Sequence, residues 1–455
     1  MQVSVLGAGY VGLVTAACLA HLDNEVRVLD VDVARVARLR LGQLPIREPG
    51  LDELVAEGLH DGRLSFHSDP AASHGTRLAI VAVGTLDQDG EWTAATVRAA
   101  VEALVRDVEA PRSIVIRSTL LPGTAVDIAR AARAVDPAVE IAFNPEFTRE
   151  ASAVADFLEP DRVVLGVGDG VPSNDLPAAQ RDAQGALIAE LRSLYAPLEA
   201  PIVVTDLTSA ETIKLASNVF LAAKITFANE LARLCAATGA DVGAVVDGMG
   251  LDKRIGRSFL SPGPGFGGSC FPSQARALPE LAARHGVETQ LMRAVAPSNE
   301  HQADWLLDRL EVAAGKTLSG CRVALLGLTF KAGTDDLRES PALRIAERLV
   351  ARGATVVVFD PVATVEGAAQ LAAAGTAVQT SPSAESACDQ ADAVIVATEW
   401  PEFRHLDWTS IGRSMRGRWV ADARHVLDVD AATTAGLGVV VLGVAVQPLA
   451  PSVVG

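Results

Sequence analysis

The chain has 455 residues, of which 49% are hydrophobic and 21% charged. This excludes a single small module and a disordered chain, and it points to about three compact units. Asp and Glu number 56 against 39 Lys and Arg, a formal charge of -17, so nucleic acid and anionic membrane surfaces are excluded as partners and any bound phosphate needs a local set of donors. The longest late apolar run, Gly436 to Val446, is too short to cross a bilayer and reads as buried strand. The apolar N-terminus lacks the basic flank of a secretory signal, and a cytoplasmic protein is expected. Five cysteines (Cys18, Cys235, Cys270, Cys321, Cys388) lie far apart without a CxxC, which indicates neither a disulfide framework nor a metal cluster.

From Met1 to about residue 167, the β-branched runs VSVLG, EVRVLD, LAIVAVG, SIVIRST, EIAFN and RVVLGVG alternate with Ala-rich helical stretches. That alternation predicts a parallel, doubly wound sheet. Asp169 to Gln184 reads as a surface loop. After the strand PIVVTD, the stretch from Ser209 to about Ala240 holds no Gly or Pro before Gly239 and predicts a long connecting helix. From about residue 320 the strand pattern returns in CRVALLG, TVVVFD, DAVIVAT, RWVADA and GVVVLGVAV. The expected architecture is α/β: two Rossmann-like doubly wound domains, residues 1–200 and 301–455, joined by a central helical domain over residues 201–300.

Gly7, Gly9 and Gly12 form GxGxxG directly after VSVL and at a helix start, and Asp30 ends the next strand 18 residues beyond Gly12. Glycines there permit a tight turn and close approach to a pyrophosphate, the helix N-terminus supplies N–H donors, and the carboxylate accepts from ribose hydroxyls. A carboxylate repels a 2′-phosphate, which favours NAD over NADP. Asp32 and Arg35 lie close by.

The stretch PGPGFGGSCFPSQARA, residues 262–277, places Cys270 behind a glycine-rich loop, and Pro272 suits the first turn of a helix. A cysteine at a helix N-terminus favours the thiolate and is a candidate nucleophile; an inert buried cysteine is the common alternative. Lys214 and Asn218 stand four apart on the long helix, placed either to stabilise an oxyanion or to serve as a snorkelling Lys with an ordinary amide. In the loops RSTLLPGT and NPEFTRE, Thr119 is a candidate to hold water or cofactor and Glu146 to act on a proton, although turn chemistry accounts for either loop alone.

Taken together, GAGYVG, PIREPGL, RSTLLPGT, NPEFTRE, ETIKLASNVFLAAKITFANE, GFGGSCFP, FKAGTDDLRESPA and ADARHVLD, in this order along nearly the whole chain, resemble the UDP-glucose/GDP-mannose dehydrogenase family. The resemblance implies oxidation of the C6 alcohol of a nucleotide sugar such as UDP-glucose to a carboxylate with two NAD, through an aldehyde, a cysteine thiohemiacetal and a thioester. It makes Cys270 the nucleophile, Lys214 and Asn218 the oxyanion donors, and Thr119 and Glu146 the residues that handle water and protons. It assigns the cofactor to Gly7, Gly9, Tyr10, Val11, Gly12, Asp30, Arg35, Thr85, Thr119 and Glu150. The sugar nucleotide falls to Glu146, Phe147, Lys214, Asn218, Phe259, Gly267, Lys331 and Arg424, with Arg254 reaching from the neighbouring subunit of a homodimer; no metal is implied.

Three departures stand out. Ser273 and Gln274 occupy positions where the family has Lys-Asp, Leu86 replaces a Pro, and RSTLLPGT leans towards the GDP-mannose branch. An amide cannot exchange a proton as a carboxylate does, which puts thioester hydrolysis in question. Beside the leading reading stand a GDP-mannose or UDP-N-acetylmannosamine dehydrogenase, a weakly active nucleotide-sugar and NAD binding paralogue, and, ranked last, a one-step dehydrogenase of small hydroxy acids.

Overall fold

The computed structural model describes residues 1–86, 92–168 and 178–445. Residues 169–177 of the expected loop, and Val446 at the end of the late apolar run, lie outside them. Contacts divide the chain into two units, Met1–Ser217 and Asn218–Gly455.

In the first unit, β1 (Gln2–Leu6), β2 (Glu25–Leu29), β3 (Leu64–His67), β4 (Leu78–Val81), β5 (Ser113–Ile116), β6 (Glu140–Phe143), β7 (Val163–Val167) and β8 (Ile202–Thr205) form one sheet in the order β3-β2-β1-β4-β5-β6-β7-β8. Strand β4 is apolar throughout because helices cover both faces of the sheet. On β4, Leu78 and Ile80 enter one core while Ala79 and Val81 enter the other. Helix Tyr10–His21 is buried without interruption from Gly12 to Ala20, as a helix without a polar face must be. The sheet departs from the all-parallel expectation at one place: β7 runs antiparallel to β6, and β8 follows β7. The connection after β6 contains only the short helix Ala153–Leu158, which rises about 9 Å and does not carry the chain back across the sheet for another parallel strand. Helix Ala178–Tyr195 takes in the end of the segment expected to be loop, since AAQRDAQ lacks the Pro and Gly that precede it.

Helix Leu207–Thr238 begins two residues before the expected start and stops at Gly239, whose φ of +78° ends a helix in the left-handed conformation. The second unit continues with helices Val242–Gly250, Cys270–Arg284 and Gln290–Ala314. It closes with β9 (Arg322–Leu326), β10 (Thr355–Phe359), β11 (Gln379–Thr380), β12 (Ala393–Val396), β13 (Trp419–Asp422) and β14 (Gly438–Val441). This sheet is parallel throughout, ordered β11-β10-β9-β12-β13-β14. Among the described residues, no helix is long and apolar enough to cross a membrane.

Candidate active site

In the first unit the strand order reverses between β1 and β4, and the carboxyl ends of β1, β2, β4, β5 and β6 share one edge. Ligands of open α/β sheets collect there. Gly7 has φ +102°, and a Cβ on it would lie 2.7 Å from the Ala82 carbonyl oxygen; a Cβ on Gly12 would lie 1.9 Å from the Gly7 oxygen. Those two glycines are required by the turn and by helix-strand packing. Gly9 meets nothing within 4 Å, so the space above the helix N-terminus is left open. That opening beside a helix N-terminus suits a pyrophosphate. Thr85 and Thr119 belong to the segments following β4 and β5, and Val11 is the second residue of the helix.

The Asp30 carboxylate accepts from Ala8 N at 2.8 Å, Asp32 N at 2.9 Å and Arg35 Nη1 at 3.0 Å. It therefore ties the glycine turn to β2. Arg35 beside it offsets part of the charge that would repel a 2′-phosphate, so the preference for NAD rests on a paired carboxylate and not a bare one.

At the same edge, the loop after β6 presents Glu146 to the long helix. Because β8 runs against β6, the helix starts at the opposite edge and climbs back. Lys214 Nζ donates to Glu146 Oε1 at 2.7 Å and to the Glu146 carbonyl at 2.6 Å, and both side chains are buried. This excludes the snorkelling alternative for Lys214. Glu146 Oε2 accepts from Thr148 N at 2.7 Å and Thr148 Oγ1 at 2.8 Å. Burial pushes the Glu146 carboxyl up, but the Lys214 charge and these hydrogen bonds outweigh it and hold the group below the ordinary carboxylate range. Phe147 is covered by the Arg162 guanidinium, 3.7 Å from its ring centroid, with Lys214 Nζ at 5.4 Å.

In the second unit, Cys270 is the first residue of its helix and is exposed, whereas Cys18, Cys235, Cys321 and Cys388 are buried. Gln274, one turn on, is 1% exposed and its Oε1 has no hydrogen-bond partner among the described residues. Ser273 turns its hydroxyl back to the Ser269 carbonyl at 2.6 Å. Asn218, on the long helix one turn past Lys214, is buried. Phe259 has φ +64° and packs on Phe271, ring centroids 6.2 Å apart. A Cβ on Gly267 would lie 2.6 Å from the Glu339 carbonyl oxygen, so the glycine loop lies tight against the segment before helix Pro341–Ala351.

Arg424 donates from Nη2 to the Phe330 carbonyl at 2.7 Å and from Nε to the Ala397 carbonyl at 3.1 Å, and pairs with Glu399 at 3.0 Å. Its Nη1 lies 3.5 Å from where a Gly263 Cβ would sit. Arg424, Lys331 and the glycine loop thus belong to one neighbourhood, with Lys331 Nζ 5.4 Å from the Phe330 ring centroid. Arg254 is exposed and bonded to Asp252, two residues before it.

Several residues that shape the site are not evident from the sequence. Asn229 Oδ1 accepts from Gly263 N at 2.8 Å, Gln302 Nε2 donates to the Gly263 carbonyl at 2.9 Å, and Asn299 Oδ1 accepts from Phe266 N at 2.8 Å. These buried amides replace the secondary structure the glycine loop lacks. Glu211, one turn before Lys214, accepts from Gly123 N and Ala125 N, both at 2.7 Å, and so caps helix Thr124–Val135. Their only signal was polar residues at positions that the helical pattern marks as buried.

The family's NAD binding domain matches residues 1–181, its central domain 208–301 and its UDP binding domain 324–429. The chain is 41% identical over 441 residues to a UDP-glucose 6-dehydrogenase of Pseudomonas aeruginosa, covering 94% of each. It is 37% identical to that of Rickettsia bellii, covering 96% of this chain and 98% of the relative. A solved UDP-glucose dehydrogenase from Pyrobaculum islandicum superposes with a TM-score of 0.82 at 39% identity, over 93% of this chain and 94% of the other. With matches that span nearly the whole chain and with the open glycine turn, the buried Lys214–Glu146 pair and the exposed helix-terminal Cys270 all in place, the chain belongs to the UDP-glucose/GDP-mannose dehydrogenase family.

Proposed function

We propose that this protein oxidises the C6 alcohol of UDP-glucose to the carboxylate of UDP-glucuronate. The reading draws on relatives of that name over nearly the whole chain, and the observation that carries it is Cys270, exposed at the head of a helix behind a loop braced by three amides. NAD, held at Gly7–Gly12 and Asp30 with Thr85, Thr119 and Glu150 nearby, supplies the hydride acceptor for two oxidations. Loss of the first hydride and the hydroxyl proton gives the aldehyde. The Cys270 thiolate then adds to the carbonyl carbon, and Lys214 and Asn218 face the oxyanion that forms. Loss of the second hydride leaves a thioester on Sγ, and water cleaves it to the acid while Sγ departs as thiolate.

The segments divide this work: residues 1–200 take NAD, 201–300 carry Lys214, Asn218 and Cys270, and 301–455 hold the nucleotide through Lys331 and Arg424, with Phe147, Phe259 and Gly267 lining the sugar side. The same reading makes the protein a homodimer, to which Arg254 contributes from one protomer to the other. In its support, Phe220, Phe227 and Leu234 recur every seventh residue along the long helix at 66%, 51% and 58% exposure, an apolar stripe of the kind a partner helix covers.

Two NADH should form per UDP-glucose, and a Cys270→Ala variant should release no UDP-glucuronate. Acid formation at the wild-type rate by that variant would overturn the mechanism, and turnover of GDP-mannose or UDP-N-acetylmannosamine in place of UDP-glucose would reassign the substrate. A second reading, a binding protein with slow turnover, rests on the buried amide of Gln274 and is separated by the same assay.

A further inference from the structure

We propose that Glu48 is a positioning residue that sets the affinity for the dinucleotide by holding Ala151 in a strained conformation; this rests on the cofactor reading above. Glu48 is buried, and among the described residues no ion pair offsets its charge. Its carboxylate is instead held by three donors from two parts of the first unit. Oε2 accepts from Ala151 N at 2.8 Å and from the Tyr10 hydroxyl, and Oε1 accepts from Ala153 N at 2.7 Å. Tyr10 is the first residue of the helix after the glycine turn, and Ala151 directly follows Glu150. Burial, followed by the hydrogen bond and charge of Glu48, pushes the Tyr10 hydroxyl far above its ordinary range, so it remains a donor at any working pH.

Ala151 has φ +62°, a left-handed conformation that an alanine adopts only when its surroundings impose it. The imposing group is the Glu48 carboxylate, which bonds the amide of Ala151 itself and that of Ala153, the first residue of helix Ala153–Leu158. One side chain therefore fixes the direction in which the chain leaves Glu150 and ties it to the helix whose N-terminus faces the dinucleotide. The other end of the same loop is anchored separately, by Lys214 on Glu146. Loosening Glu48 should accordingly disturb the cofactor side and leave the sugar side in place.

The test is calorimetric titration of the full-length protein with NAD alone, alongside KM for NAD and for UDP-glucose. Glu48→Gln puts an NH₂ where one of the N–H donors points. It should weaken NAD binding by about tenfold, as expected for losing a hydrogen bond to a charged group, with KM for UDP-glucose within about twofold of wild type. Tyr10→Phe should weaken NAD binding by less. Adding Ala151→Gly to Glu48→Gln should recover most of the loss, because glycine takes positive φ without help; a general structural defect would show no such recovery. Wild-type NAD affinity in Glu48→Gln, or a double variant that binds as weakly as the single, would overturn the proposal. If Glu48→Gln does not fold, an unchanged affinity in Tyr10→Phe would do so. Failure of the wild type to turn over UDP-glucose would count against the proposed reaction instead, since the titration contains no sugar.

Discussion

Gln274 lies one turn beyond Cys270 and is buried, with a carbonyl oxygen that has no partner among the described residues, so it offers an acceptor to a water but takes no proton from it. Glu146 is a poor substitute as base, because Lys214 and Thr148 hold its carboxyl below the ordinary range. General base assistance is typically worth about 10²- to 10⁴-fold, and in the proposed reaction hydrolysis of the thioester on Cys270 is therefore expected to limit turnover. Stopped-flow mixing should give a burst of NADH followed by a slow phase, intact mass should show an adduct on Cys270, and Gln274→Asp should speed the steady state. Absence of both burst and adduct would show that another group activates the water. The place of Cys270 at the head of a helix was legible in the sequence because a glycine loop followed by a helix start is a local pattern. The Lys214–Glu146 pair was not, because its members stand 68 residues apart and only the reversed strands bring them together.

The helices and strands were mostly legible, since their buried apolar periodicity is strong. The reversal of β7 was not, because VVLGV reads the same whichever way its neighbour runs. That reversal routes the long helix past the loop after β5, where Glu211 caps helix Thr124–Val135. Burial, against the two backbone hydrogen bonds, raises the Glu211 carboxyl from 4.5 to about 7. The folded state thus binds this proton more tightly than the unfolded chain. Its stabilising effect is complete below about pH 4.5 and is lost as pH rises towards 7, a change of up to about 3 kcal/mol. Urea unfolding at pH 5 and pH 7.5 should show Glu211→Gln with a smaller loss of stability over that interval than wild type; equal losses would place the titration elsewhere. On the next turns of the same helix, Phe227→Glu should convert the proposed dimer to monomer by light scattering, because a carboxylate in the middle of an apolar stripe is desolvated without a partner. A wild-type protein that is already monomeric at full activity would remove the stripe from consideration.

The two sheets repeat one order of their first six strands, and that repetition was legible from alternating strand and helix patterns. Their chemistry differs. At the second reversal of strand order, between β9 and β12, Asp360 takes the place that Asp30 holds in the first. It is filled from within by Leu328 N at 2.7 Å, Thr329 N at 3.1 Å and Trp400 Nε1 at 3.1 Å. Asp30 likewise accepts from a backbone N–H of its turn, but no indole bonds it among the described residues; this difference depends on a tryptophan 40 residues away, which no local motif reveals, and shared topology alone assigns no shared function.

The glycine turn separates the requirements of folding from those of binding within six residues. Gly12→Ala drives a methyl into the Gly7 carbonyl and Gly7→Ala drives one towards Ala82, so both should lower the melting temperature with or without ligand. Gly9 has φ -83° and open space around its missing side chain. Gly9→Ala should melt like wild type while losing most of its NAD affinity, and a normal titration would show that the dinucleotide passes elsewhere. Over generations, a descendant released from binding but still required to fold would keep the first and third glycines and let the second drift. The identity of residue 9 alone would then record whether such a lineage still uses its nucleotide.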